Sequence, residues 1–63
     1  MKFKDHDLVI VLSDNPELEE VHGEKGEILG RSDEYENGTR DYGVFIFRDE
    51  ILWQIHESDL EKA

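Results

Sequence analysis

Tyr42-Gly-Val-Phe-Ile-Phe47 and Ile51-Leu-Trp-Gln-Ile55, joined by Arg48-Asp49-Glu50, are two short runs rich in aromatic and β-branched residues around a polar turn. Neither run is long enough for a stable helix, and together they read as an antiparallel hairpin. Upstream, Asn37-Gly38 is the strongest turn signal in the chain, since both residues tolerate the positive φ of a tight hairpin. It predicts a reversal between the strand at Tyr42 to Phe47 and an earlier one at Glu27 to Arg31. In that earlier strand Ile28 and Leu29 are the apolar members, and Gly30 signals a bulge or sharp bend.

Further upstream, Leu8-Val9-Ile10-Val11-Leu12 is a continuous apolar run dense in β-branched residues, and it predicts the first strand. Asn15-Pro16 then interrupts regular structure, because proline lacks an amide donor and restricts the residue before it. Glu17 to Val21 fits one helical turn, capped by Asp14 or Asn15, inside a long loop. Downstream of the hairpin, Ser58 or Asp59 opens a last short turn in which Leu60 is the apolar anchor.

Four to five short antiparallel strands, with a long acidic first loop and tight later turns, define an all-β class. Closure into a small SH3-like barrel is the economical way to remove exposed sheet edges. A helical bundle is disfavoured, because no segment sustains apolar spacing of three and four over ten or more residues. The expectation is a single domain over residues 1–63. A domain of about 60 residues buries only about 60% of the surface its unfolded chain exposes, so stability should be modest. The chain has no cysteine, so the fold depends on its apolar core, and a reducing cytoplasmic setting is expected. The apolar run at Leu8 to Leu12 is far shorter than a signal-peptide core or a membrane span, which makes secretion and membrane insertion unexpected.

The formal net charge is −10, and eight of those units fall in two segments. Ser13 to Glu24 carries Asp14, Glu17, Glu19, Glu20 and Glu24 with no Lys or Arg; Ser32 to Asp41 carries Asp33, Glu34, Glu36 and Asp41 against Arg40 alone. Concentrated like charge steers partners of opposite sign and repels nucleic acid and anionic membrane. The cations Lys2, Lys4, Lys25, Arg31, Arg40, Arg48 and Lys62 are scattered, so no nucleic-acid partner and no membrane partner are expected.

These features, taken in order along the chain, carry a resemblance. Asp7-Leu-Val-Ile-Val opens the first strand, and Gly23-Glu-Lys-Gly26-Glu-Ile-Leu leads into the second. Tyr42-Gly-Val-Phe-Ile forms the third, Trp53-Gln-Ile lies in the fourth, and Glu57-Ser-Asp-Leu60 closes the sequence. Together they resemble the small SH3-like immunity proteins of bacterial polymorphic toxin systems (immunity protein 31-like). The resemblance implies a cytoplasmic, non-enzymatic antidote that binds a cognate toxin and blocks its active site or assembly. It supplies no catalytic residues and no fixed toxin-contact motif.

Two candidate partner-binding features follow from the residues. Glu17, Glu19, Glu20 and Glu24 form either a solvating surface loop or, joined by Asp33, Glu34 and Glu36 across a shared groove, a negative surface that occupies a basic cleft. The second feature is apolar excess. Strand one alternates Leu8, Ile10 and Leu12 with Val9 and Val11; strand three alternates Tyr42, Val44 and Ile46 with Phe45 and Phe47. Val9, Val11, Ile28, Val44, Ile46, Ile55 and Leu60 are assigned to the core. Ile10, Phe45 and Phe47 are then left partly outside, either covered by the chain itself or forming a contact patch.

Trp53 reads as a core or groove residue. His6 with Asp5 and Asp7, and His56 with Glu57 and Asp59, lack the convergence of a metal site, so no metal and no cofactor are expected. Ser13, Ser32, Ser58, Thr39 and the histidines sit in no nucleophile motif, so no catalytic residues are assigned and no enzyme is expected. The partner expected is a cognate protein toxin or another basic protein surface, bound by a monomer or weak homodimer. The alternative is a regulatory or assembly module that recognises a basic peptide or enzyme subunit. A structural homo-oligomer using Phe45 and Phe47 is a third reading.

Overall fold

The computed structural model describes residues 2–63. Five strands form one antiparallel sheet: β1 (Leu8–Val11), β2 (Lys25–Arg31), β3 (Asp41–Ile46), β4 (Ile51–His56) and β5 (Leu60–Lys62), in the spatial order β4-β3-β2-β1-β5. The all-β class expected from the sequence is the class that folds. The sheet is open: β4 and β5 form its two edges and share no ladder, so closure as an SH3-like barrel is not among its pairings.

A single sheet buries an apolar face only if it coils around that face or another segment covers it. Both happen here. The β2–β3 register shifts between Ile28 and Gly30, a bulge at the glycine where the sequence predicts one, and bulges increase local twist. The concave face carries Val9, Val11, Ile28, Val44, Ile46, Ile55 and Leu60, all buried as expected. Four further residues complete the core: Phe3, Leu18, Val21 and Tyr42.

Each addition has a local cause. Residues 16–21 wind as a 3₁₀ helix, whose period of three places Leu18 and Val21 on one side. Pro16 occupies the first turn, and the Asn15 side chain caps it by accepting from the Glu17 amide at 3.0 Å. Phe3 is drawn in by Tyr42, whose hydroxyl accepts from the Phe3 amide at 3.1 Å; the two rings meet edge to face at 5.2 Å.

The reversal expected at Asn37-Gly38 lies between β2 and β3, in a connection longer than a tight hairpin. It runs through residues 32–40, and only Gly38 takes a positive φ, of 84°. The Gly38 amide donates to the Tyr35 carbonyl at 2.9 Å, and the Asn37 side chain accepts from the Thr39 amide at 3.1 Å. The Asn-Gly signal marks the tip of a longer loop, because Ser32 and Asp41 still bridge its base. The last turn, Glu57–Asp59, is also 3₁₀ and leads into β5, which pairs with β1.

Candidate partner-binding surface

Cross-strand register decides which side chains share the convex face. Leu8 pairs with Glu27, Glu27 with Phe45 and Phe45 with Leu52, so these four residues form one row across β1 to β4. The next row toward the β1–β2 loop holds Ile10 and Lys25. Phe47 lies just past the end of β3, where its amide donates to the Lys25 carbonyl at 3.2 Å and its ring packs edge-on against Phe45 at 6.1 Å. The patch expected from Ile10, Phe45 and Phe47 is therefore wider, gaining Leu8 and Leu52. Phe45 is half-buried, whereas Leu8, Phe47 and Leu52 are 54%, 43% and 60% exposed. Leu8 was not among the residues expected outside, although alternation along β1 places it on the Ile10 face; Leu52 needed the β3–β4 register.

The first acidic loop lies at the same end of the sheet as Phe47. Arg48, in the β3–β4 turn, donates to the Glu24 carboxylate at 2.7 Å and to the Glu20 carbonyl at 3.0 Å. Its bonds to Asp49 raise the guanidinium pKa and hold the Asp49 carboxyl below the usual carboxylate range. Among the described residues, no cation lies within ion-pair distance of Asp14, Glu17, Glu19 or Glu20. All four of these residues are exposed.

The second acidic loop is elsewhere, and the expectation that both loops flank one groove is corrected. Successive connections in an antiparallel meander alternate between the two ends of the sheet. The first loop leaves at Lys25 and the second at Arg31, separated by the length of β2, about 20 Å at roughly 3.3 Å per residue. Asp33, Glu34 and Glu36 are exposed at that far end, with Glu34 paired to Arg40 at 2.9 Å.

There the loop folds back on the sheet. The Asp41 carboxylate accepts from the Tyr35 hydroxyl and the Gln54 amide, each at 2.6 Å. Those bonds hold the Asp41 carboxyl below its usual range, and the bond to Asp41 raises the Tyr35 phenol. Beside this cluster Gly30 faces Gly43, leaving a trough of about 380 Å³ walled by Leu29, Leu52 and Gln54.

The remaining chemistry-bearing residues are held in local structure. His6 Nδ1 lies 2.7 Å from Glu27. His56 caps the last 3₁₀ turn by accepting from the Ser58 amide, and its other ring nitrogen lies 2.9 Å from the Thr39 hydroxyl. Trp53 packs against the core with its Nε1 buried and without an acceptor among the described residues. Among the described residues no three His, Asp or Glu side chains converge, and no helix is long and apolar enough to cross a membrane.

Fold and surface together define a small all-β domain that presents an apolar face and an acidic first loop in which Glu24 pairs with Arg48. Compared with known proteins, the chain matches no family model, no curated protein and no solved structure.

Proposed function

We propose that the chain is a non-enzymatic immunity protein that neutralises a cognate bacterial toxin in the cytoplasm by stoichiometric binding. The observation that carries the reading is that Arg48, next in sequence to Phe47, holds the Glu20 carbonyl and the Glu24 carboxylate, so the end of the exposed acidic loop meets the Phe47 end of the apolar patch of Leu8, Ile10, Phe45, Phe47 and Leu52. The ordered sequence resemblance supports the same reading. An acidic loop accelerates encounter with a basic surface, and a desolvated aromatic and aliphatic patch supplies lifetime once the two are docked. The second acidic loop, at the far end of the sheet, contributes to the long-range field and not to the contact.

The test is capture of partners by the tagged protein at low and high salt, followed by association kinetics with the captured toxin domain. Combined Glu17→Lys, Glu19→Lys and Glu20→Lys should slow association by about tenfold or more, within the range of electrostatic steering, and the wild-type rate should fall as salt rises. Reversing Asp33 and Glu36 instead should change the rate much less. Recovery only of resident enzyme subunits, or a rate insensitive to charge and salt, would overturn the reading.

A further inference from the structure

The two edges of the sheet are built differently. β5 is three residues long, and two of them, Glu61 and Lys62, are charged, which is how natural edges are protected from pairing with another chain. β4 is six residues long, Ile51-Leu-Trp-Gln-Ile-His56, and carries no formal charge at neutral pH in a chain that is 38% charged. It contains no proline, and Ile51 and Leu52 are 53% and 60% exposed.

The backbone of this edge can be assigned from parity. The Glu57 amide donates to the Arg40 carbonyl at 3.0 Å, in line with the β3–β4 ladder, and the Asp41 carbonyl accepts from Ser32 on the β2 side. Since antiparallel strands alternate their bonding direction, Ile51, Trp53 and Ile55 bond to β3, and Leu52, Gln54 and His56 turn their N–H and C=O groups away from the sheet. Those groups form a ready template for one more strand, flanked by exposed Glu50 at one end and by half-buried Glu57 at the other. The Glu57 carboxylate accepts from the Arg40 amide at 3.0 Å, and its carbonyl accepts from Lys2 Nζ at 3.3 Å.

We infer that β4 is a docking edge for an extended segment of a basic partner, uncharged and alternately apolar along its centre with Lys or Arg at its ends. The inference rests on the reading above that the chain acts by binding a basic protein, and it names how part of that partner is held. Main-chain bonds to the edge give affinity, and the flanking charges choose the occupant. A second copy of the chain is the poorer occupant. Antiparallel pairing of two β4 edges brings each Glu50 toward the other copy's Glu57 and joins two bodies of net charge −10.

The probe is a short peptide of alternating valine and threonine with a lysine pair at each end, compared with the same peptide ending in glutamates. Amide exchange is followed by NMR. With the lysine-ended peptide, exchange at Leu52, Gln54 and His56 should slow by about tenfold or more, with no change along β5. Gln54→Pro removes one outward donor without touching the β3–β4 ladder, and it should abolish the effect. Leu52→Lys keeps every backbone donor and places a like charge before the peptide; it should weaken binding even if the proline variant folds poorly.

No slowing on β4, equal slowing by the glutamate-ended peptide, or protection that grows with protein concentration alone would overturn the inference, the last by making a second copy the occupant. The peptide result and the toxin capture fail separately: a lost capture removes the immunity reading, and a silent titration removes only the edge.

Discussion

Gly26 and Gly30 lie on the same strand and should answer to one substitution with opposite signs. A Cβ built on Gly26 would sit 2.6 Å from the Phe45 carbonyl oxygen and 2.7 Å from Val44 Cγ1. The carbonyl belongs to the neighbouring strand and cannot swing aside without disturbing the β2–β3 ladder, so Gly26→Ala strains the centre of the sheet. Overpacking of this kind costs about 1–3 kcal/mol, occasionally more. Against roughly 0.05–0.15 kcal/mol per residue, or about 3–9 kcal/mol for 63 residues, that is a large share of the total. At Gly30 nothing among the described residues beyond its chain neighbours lies within 4 Å of the added methyl, and its φ is not in the left-handed region. Gly30→Ala should therefore stabilise by about 0.4–1 kcal/mol, by restricting the unfolded chain. Urea melts followed by fluorescence of Trp53, the single tryptophan, read both. With a slope of about 1 kcal/mol per molar, the midpoint should fall by about 1–3 M for Gly26→Ala and rise by about 0.4–1 M for Gly30→Ala. A Gly26→Ala variant melting at the wild-type midpoint, or equal losses at both sites, would refute the packing argument.

Tyr42→Phe keeps the buried ring and strips the acceptor from the Phe3 amide. It should cost about 1–3 kcal/mol, a fall in Tm of about 4–8 °C for each kcal/mol, and a fall under about 2 °C would show that the amide finds another partner. Asp41 has a depressed carboxyl pKa, so its bonds stabilise the fold above the unfolded value of about 3.9, and that contribution is lost as pH falls through the lower folded value. The stability gap between wild type and Asp41→Asn should be widest near neutrality and shrink below about pH 4, and a gap independent of pH would contradict this. Because the Tyr35 phenol is raised by the same bond, Asp41→Asn should lower its titration toward the ordinary value of about 10, read by ultraviolet absorbance.

The concave half of the sheet was legible because alternation along single strands is a local property. Val9, Val11, Val44 and Ile46 group by alternation alone, but both faces of strands one and three are apolar, so the sequence could not fix which face of strand three is buried. The fold buries Tyr42, Val44 and Ile46. Phe3 was not legible, since one apolar residue between Lys2 and Lys4 has no periodicity, and its burial depends on a hydroxyl presented by Tyr42. Leu18 and Val21 were hidden inside an acidic loop by a 3₁₀ period that the strand and α-helix patterns both miss. Phe45 and Phe47 were visible as surplus apolar residues, while the addition of Leu52 required the pairing of β3 with β4. The charge in both loops was plain in the composition. Their placement at opposite ends was missed because a closed SH3-like barrel was expected to fold both loops onto one groove, whereas the single intervening strand β2 sets them apart.

The pairing of β5 with β1 also governs the order of events when the chain folds. The hairpins β2–β3 and β3–β4 join neighbours in sequence, but Val9 meets Lys62 only after nearly the whole chain has been gathered. Closing so long a loop loses more chain entropy than closing either hairpin, so the meander forms first and the β1–β5 contact last. Substitutions at Leu60 should then accelerate unfolding and leave the folding rate nearly unchanged, whereas substitutions at Val44 should slow folding. In kinetic terms the small β5 strand is a latch: it contributes little to how fast the native state is reached and much to how long it lasts.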